Sequence, residues 1–221
     1  MKLRLGLLRR RECVVPTLRG WLAILLGFGG LGVGFLLGIY PFLAVNDPKP
    51  GGILVVEGWV SDGGMMKVIE EFHRGRYDGI YSTGGPVDAG SPLIIYKTIA
   101  EYGAAILVSL GCDPKVVHAV PTERMVKDRT YSSAVALKQW LKEHDIPVTT
   151  VNLYSAGAHS RRSRLLFQKA FGDEAQIGVV ATEHTDFDPG RWWTSSAGFR
   201  CVTDEVIAYL YARFIFRPTT E

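Results

Sequence analysis

Tyr154-Ser155-Ala156-Gly157-Ala158-His159-Ser160-Arg161-Arg162-Ser163-Arg164 is the stretch whose reading decides the fold. Before it runs Val148-Thr149-Thr150-Val151-Asn152-Leu153, a β-branched segment that reads as a buried strand. After it, Leu165-Leu166-Phe167-Gln168-Lys169-Ala170-Phe171 presents an apolar helical face closed by Gly172. A small-residue turn therefore stands where a strand ends and a helix begins, and open α/β sheets place ligand sites at such turns. His159 and Arg162 are three apart at the helix start and share a face. The positive end of the helix dipole disfavours an imidazolium, so a neutral His159 is expected, suited to act as a general base or hydrogen-bonding group. Arg161, Arg162 and Arg164 crowd the same end and are unfavourable there unless an anion compensates, which points to a phosphate or carboxylate ligand. The alternative is a solvated basic face beside a satisfied histidine.

Outward from this stretch, strands alternate with helices. Ile53-Leu54-Val55-Val56 is a short continuous apolar run, as a strand buried on both faces requires. Further strands are expected at 79–83, 116–120 and 177–181, and helices at 64–75, 93–110, 130–144 and 203–216. Asp204 and Glu205 then fall in the first turn of the last helix, where acidic side chains suit the dipole. Residues 187–196 read as a loop, in which Arg191-Trp192-Trp193 is a stacking lid, a membrane-facing patch or core packing. The alternation implies a Rossmann-like three-layer α/β domain with a mainly parallel sheet.

In a parallel sheet the strand ends share one edge, so four polar clusters should meet there. They are Glu57, then Ser82-Thr83-Gly84-Gly85, then Asp128-Arg129-Thr130, then 155–162. We take His159, Asp128 and Glu57 as the catalytic candidates. The ligand-binding candidates are Ser82, Thr83, Gly84, Gly85, Arg129, Thr130, Ser155 and Arg162. Gly84-Gly85 would free backbone N–H groups for an anionic ligand, or simply make a turn. Thr130 either caps its helix or meets the ligand. No phosphate loop, GxGxxG, HExxH or CxxC occurs, GxSxG is incomplete, and His73, His118, His144 and His184 lack metal-ligand spacing. No metal is expected, and the cofactor is left open.

The 221 residues allow one full domain plus an addition at the front. Residues 21–45 carry no charge, and about 20 apolar residues suffice to span a bilayer. Lys2, Arg4, Arg9, Arg10, Arg11 and Arg19 precede this run against Glu12 alone, so the net charge of +3 is a membrane-orientation signal rather than a nucleic-acid surface. A cleaved signal peptide is the alternative, but its apolar region would be shorter, and Tyr40-Pro41-Phe42 does not suit a cleavage site. The expected organisation is a basic cytoplasmic flank at 1–20, a transmembrane helix at 21–45, a linker at 46–52 and the α/β domain at 53–217. That places a single-pass protein in a bacterial inner or plasma membrane, with its domain outside the cytoplasm. Gly30–Gly34 and Gly34–Gly38 have GxxxG spacing, which admits a homodimer through the membrane helix. Cys112 and Cys201 would both lie outside, and whether they pair is open.

Five pieces together resemble the YdcF/SanA/ElyC-like family. They are Val55-Val56-Glu57-Gly58, Tyr81-Ser82-Thr83-Gly84-Gly85, Leu110-Gly111-Cys112-Asp113-Pro114, Arg129-Thr130, and His159 with Arg162 three residues on. The resemblance covers about 53–216. It implies a Rossmann-like fold, often with one N-terminal membrane helix, and a role in cell-envelope integrity, peptidoglycan biogenesis or lipid-carrier metabolism. Many members carry a Glu before the Arg-Thr helix start and an Asn within that helix, whereas here Lys127-Asp128 and Ser132-Ser133 stand there. Some members look able to bind S-adenosylmethionine, a cofactor that an outward-facing domain would not meet. The expected function is a membrane-anchored envelope protein whose domain binds a phosphate- or pyrophosphate-bearing ligand, such as a glycan or lipid-linked intermediate. The alternative is a non-catalytic envelope scaffold or partner-binding module.

Overall fold

The computed structural model describes residues 13–87, 95–123, 127–182 and 186–218. Its first element is α1 (Leu18–Leu43), 26 residues and about 39 Å at 1.5 Å per residue, which is long and apolar enough to cross a membrane. Five strands and five helices follow in alternation: β1 (Ile53–Glu57), α2 (Asp62–Gly75), β2 (Ile80–Gly84), α3 (Ile99–Ser109), β3 (Val117–Pro121), α4 (Arg129–Glu143), β4 (Thr150–Ala156), α5 (Ser160–Phe171), β5 (Gln176–Thr182) and α6 (Ser196–Leu210). A π turn, Tyr211–Ile215, extends α6. Short 3-10 turns occupy Gly157–His159 and Pro189–Thr194.

The sheet order is β3-β2-β1-β4-β5, and every pair is parallel. β1 is the middle strand, with Leu54 opposite Ile80 on one side and Ile53 opposite Val151 on the other. Its neighbours β2 and β4 lead away in opposite directions, so the topological switch point lies between the carboxyl ends of β1 and β4. The apolar run of β1 serves two cores because successive side chains alternate faces. Ile53 and Val55 pack with Leu137 of α4 and Phe167 of α5. Leu54 and Val56 pack with Met65 and Val68 of α2 and Leu107 of α3. Helices therefore cover both faces, as a parallel sheet demands.

Two helix starts differ from expectation, and a cap explains each. α3 begins at Ile99 and not at 93. Thr98 accepts from Glu101 N at 3.1 Å, and the Glu101 carboxylate accepts from Thr98 N at 3.0 Å, which closes a capping box. Residues 93–94 lie outside the described residues. α6 begins seven residues earlier than expected, at Ser196, because the Ser195 hydroxyl accepts from Gly198 N at 3.0 Å. Asp204 and Glu205 are thus interior to α6 and do not serve its dipole. The segment 187–196, expected as a loop, contains the 3-10 turn and buries Trp192, so core packing is what that tryptophan does.

The chain divides into two compact units, Met1–Leu37 and Gly38–Glu221. The last residues of α1 belong to the second. There Leu43 is buried, its carbonyl accepting from Ser160 Oγ at 3.1 Å, and the Arg161 guanidinium lies 4.0 Å over the Phe42 ring. Residues 46–52, expected as a linker, are held down. Asp47 bridges Val179, and the buried Asn152 side chain accepts from Lys49 N at 2.7 Å while donating to the carbonyls of Lys49 and Gly51 at 3.0 Å. Gly178 makes this possible, since a Cβ there would sit 2.1 Å from Asn152 Oδ1.

Candidate functional site

The switch point between β1 and β4 holds a largely buried charge cluster. Glu57 ends β1, and its carboxylate accepts from Ser155 Oγ of β4 at 2.8 Å and from Ser163 Oγ of α5 at 2.9 Å. His159 sits at the start of α5 with Nε2 3.1 Å from Glu57 Oε1 and Nδ1 2.8 Å from Glu205 Oε1. Arg162, one turn on, donates to both oxygens of Glu205, from Nε at 2.8 Å and from Nη2 at 2.9 Å. Such bidentate, charge-assisted pairing is the strongest form an ion pair takes. The Trp59 ring meets His159 edge to face, centroids 5.4 Å apart.

Charge balance decides the state of His159. Two carboxylates face one guanidinium, so a neutral imidazole would leave a net negative charge buried. Burial alone pulls the His159 pKa down, but the Glu57 charge and the Glu205 hydrogen bond outweigh it and push it up to about 9. Burial likewise raises Glu205, but the Arg162 and His159 hydrogen bonds bring its carboxyl down to about 2. Glu57 also ends below the ordinary range, because the imidazolium and both serine hydroxyls overcome its burial. The neutral His159 expected from the helix dipole is thus corrected to an imidazolium: two carboxylates in contact outweigh partial charges at a helix end. Arg162 Nη2 also lies 2.8 Å from His159 Nδ1. Both nitrogens then carry protons, and Glu205 Oε1 accepts from both.

The cluster forms one wall of a cavity of about 850 Å³ at the carboxyl edge of the sheet. Of the sequence candidates, Glu57, His159 and Arg162 line it together with Thr83, Gly84, Gly85, Asp128, Arg129 and Thr130. Ser155 and Ser82 do not. Ser155 spends its hydroxyl on Glu57, and Ser82 is fully buried with its Oγ unpartnered among the described residues. Thr83 Oγ1 points back to the Val56 carbonyl at 3.4 Å. Gly84 allows α3 to approach β2, since a Cβ there would lie 2.8 Å from Ile99 Cβ. Asp128, with φ 56° and ψ 33°, turns the chain into α4 without capping it through its side chain. Thr130 is then the second helical residue and not the cap.

Arg161 and Arg164, the other cations expected to seek an anion, are engaged elsewhere. Arg161 donates to the Phe42 carbonyl, and Arg164 pairs with Asp47 at 2.7 Å. Sequence reasoning missed Glu205, Ser163 and Trp59. The signal for Glu205 was Ser195 three residues before Gly198, which moves the helix start and turns Glu205 inward. No group of three metal-ligating side chains occurs among the described residues, and His184 lies outside them. Cys13, Cys112 and Cys201 are not joined in disulfides.

Fold and site define a three-layer α/β domain with a polar cleft at its topological switch point, joined to an apolar helix long enough to cross a membrane. Comparison with models of known families, with curated proteins and with solved structures finds no match to this chain.

Proposed function

We propose that this chain is a membrane-anchored bacterial cell-envelope protein whose α/β domain binds a phosphate- or pyrophosphate-bearing ligand in the cavity beside Glu57 and His159. The apolar α1 and the basic flank before it support an anchor with its N-terminus in the cytoplasm and its domain outside. Resemblance to the YdcF/SanA/ElyC-like family favours a role in peptidoglycan or lipid-carrier metabolism. The observation that carries the ligand reading is the cavity itself. One wall is a neutralised, largely buried charge cluster, and the lining also includes Lys127 and Arg129, neither in an ion pair among the described residues. Arg162 is spent on Glu205. The anion is therefore met by Arg129, Lys127 and the N–H groups at the start of α4, which no Asp128 side-chain cap occupies. His159, with both of its N–H groups held by carboxylates, belongs to the neutralised wall and has no donor free for the ligand. The test is thermal unfolding of the full chain in detergent micelles. Pyrophosphate should raise the melting temperature above that in chloride at matched ionic strength, and Arg129→Ala should remove the difference. Equal shifts with every anion would reject the ligand site.

One observation favours a second reading. Glu57, His159, Arg162 and Glu205 satisfy one another completely without a ligand, as a structural tie would. On that reading the domain is an envelope scaffold, and substitutions at Arg129 change nothing.

A further inference from the structure

α6 is apolar on the side it turns away from the domain. Phe199, Ile207, Leu210 and Phe214 follow one another at spacings of one or two helical turns, and Thr203 falls in line between the first two. All four are exposed, Ile207 to 62% and Phe214 to 73%. Ile215 adds a neighbour at 68%. The opposite side is the one that Val202, Glu205 and Ala212 turn into the protein. A continuous stripe of this length on a water-facing helix signals an interaction surface. The charges on α6 and its extension outside the cluster are Arg200 and Arg213 against Asp204, and Arg217 follows two residues beyond the π turn. Aromatic and aliphatic side chains on one face with arginines beside them are what a helix lying in a bilayer interface needs, because arginine stems reach past apolar surface to headgroup phosphates.

The fold also places this helix at the right level. Tyr209 of α6 packs edge to face on Phe42, centroids 5.6 Å apart, in the last turn of α1. α6 is therefore in contact with the place where the apolar run ends. We propose that α6 and its π turn lie in the interface of the membrane that holds α1, with Phe199, Ile207, Leu210 and Phe214 among acyl chains and Arg200, Arg213 and Arg217 at anionic headgroups. This rests on the reading of α1 as a membrane span. A second copy fits the stripe less well, since a two-fold contact would bring together two faces on which arginines outnumber Asp204. Ala208, Tyr211 and Ala212, on the other side of this helix, line the cavity.

Photocrosslinking of the full chain tests this in vesicles of equal parts phosphatidylcholine and phosphatidylglycerol. The probes are Ile207→benzoylphenylalanine and Phe214→benzoylphenylalanine, both at exposed positions. Leu25→benzoylphenylalanine reports the span, and Leu110→benzoylphenylalanine, exposed after α3, is the water-facing control. Phospholipid adducts at 207, 214 and 25, with none at 110, are expected. Adducts at 25 with none at 207 and 214 overturn the proposal and leave the anchor standing. Adducts from 207 or 214 to a second copy of the chain also overturn it, in favour of a dimer. No adduct at 25 refutes the anchor, and the proposal with it.

Discussion

The ionisation of His159 should be legible in the stability of the protein. Its pKa rises from 6.5, the value expected of an unfolded chain, to about 9 in the fold. A folded pKa above the unfolded one means that the fold binds the proton more tightly. The stabilisation is fully present below pH 6.5 and is lost as pH rises through about 9. At ~1.36 kcal/mol per unit, the shift corresponds to on the order of 3 kcal/mol. Because His159 contacts both Glu57 and Glu205, that energy belongs to the cluster rather than to one contact. For a domain of this size it amounts to roughly 6–12 °C in melting temperature. The assay is thermal unfolding of the full chain and of His159→Gln in the same detergent, from about pH 6 to about pH 9.5. Losses shared by both proteins, such as tyrosine and lysine ionisation, cancel in the difference. The gap between wild type and variant should be widest near pH 6 and close by that amount toward pH 9.5. A gap independent of pH would mean that His159 is neutral in the fold, and the charge-balance argument would fail.

Two substitutions probe the ties around this core. Arg162→Ala leaves Glu205 with His159 as its remaining cationic partner, which costs up to about 3–5 kcal/mol; adding Glu205→Gln should recover much of it in urea titrations, and strict additivity of the two would show that the pair does not act as one. Gly178→Ala puts a Cβ 2.1 Å from Asn152 Oδ1 and 2.7 Å from Lys49 N, so it should destabilise by about 1–3 kcal/mol, and by clearly less in an Asn152→Ala background. Wild-type unfolding of Gly178→Ala would show that residues 46–52 are not held by Asn152.

The sheet was legible because its rule is local. An apolar run of four or five residues between turn signals makes a strand buried on both faces, and 53–56 and 177–181 each landed within a strand that the fold contains. The carboxyl-edge meeting of Glu57, His159 and Arg162 followed from topology alone. Glu205 did not, because its role depends on where α6 begins. Starting the helix at Thr203 made Glu205 a first-turn acid, whereas starting it at Ser196 turns the same side chain two helical turns in and toward Arg162. The protonation of His159 was misread for the same reason. A dipole argument uses residues near in sequence, whereas Glu57 and Glu205 are 102 and 46 residues away from His159.

The cluster also explains how a helix with an apolar outer stripe keeps that stripe outward. Hydrophobic burial is non-directional, so it cannot tell the Val202 side of α6 from the Ile207 side. Directional contacts can. The two Arg162 hydrogen bonds to Glu205 fix the rotation of α6 in its middle. Lys169 of α5 fixes the far end, donating to the carbonyls of Ala212 at 2.7 Å and Phe216 at 2.9 Å. With both in place, Ala208 and Ala212 meet the cavity, and Ile207, Leu210 and Phe214 stay outside. A buried ion pair is a weak source of net stability, and its best use is to select one arrangement among several of similar energy. Here the arrangement selected joins the cavity wall and the apolar face in one rigid element. The cavity thus meets one side of α6 while the exposed apolar stripe occupies the other.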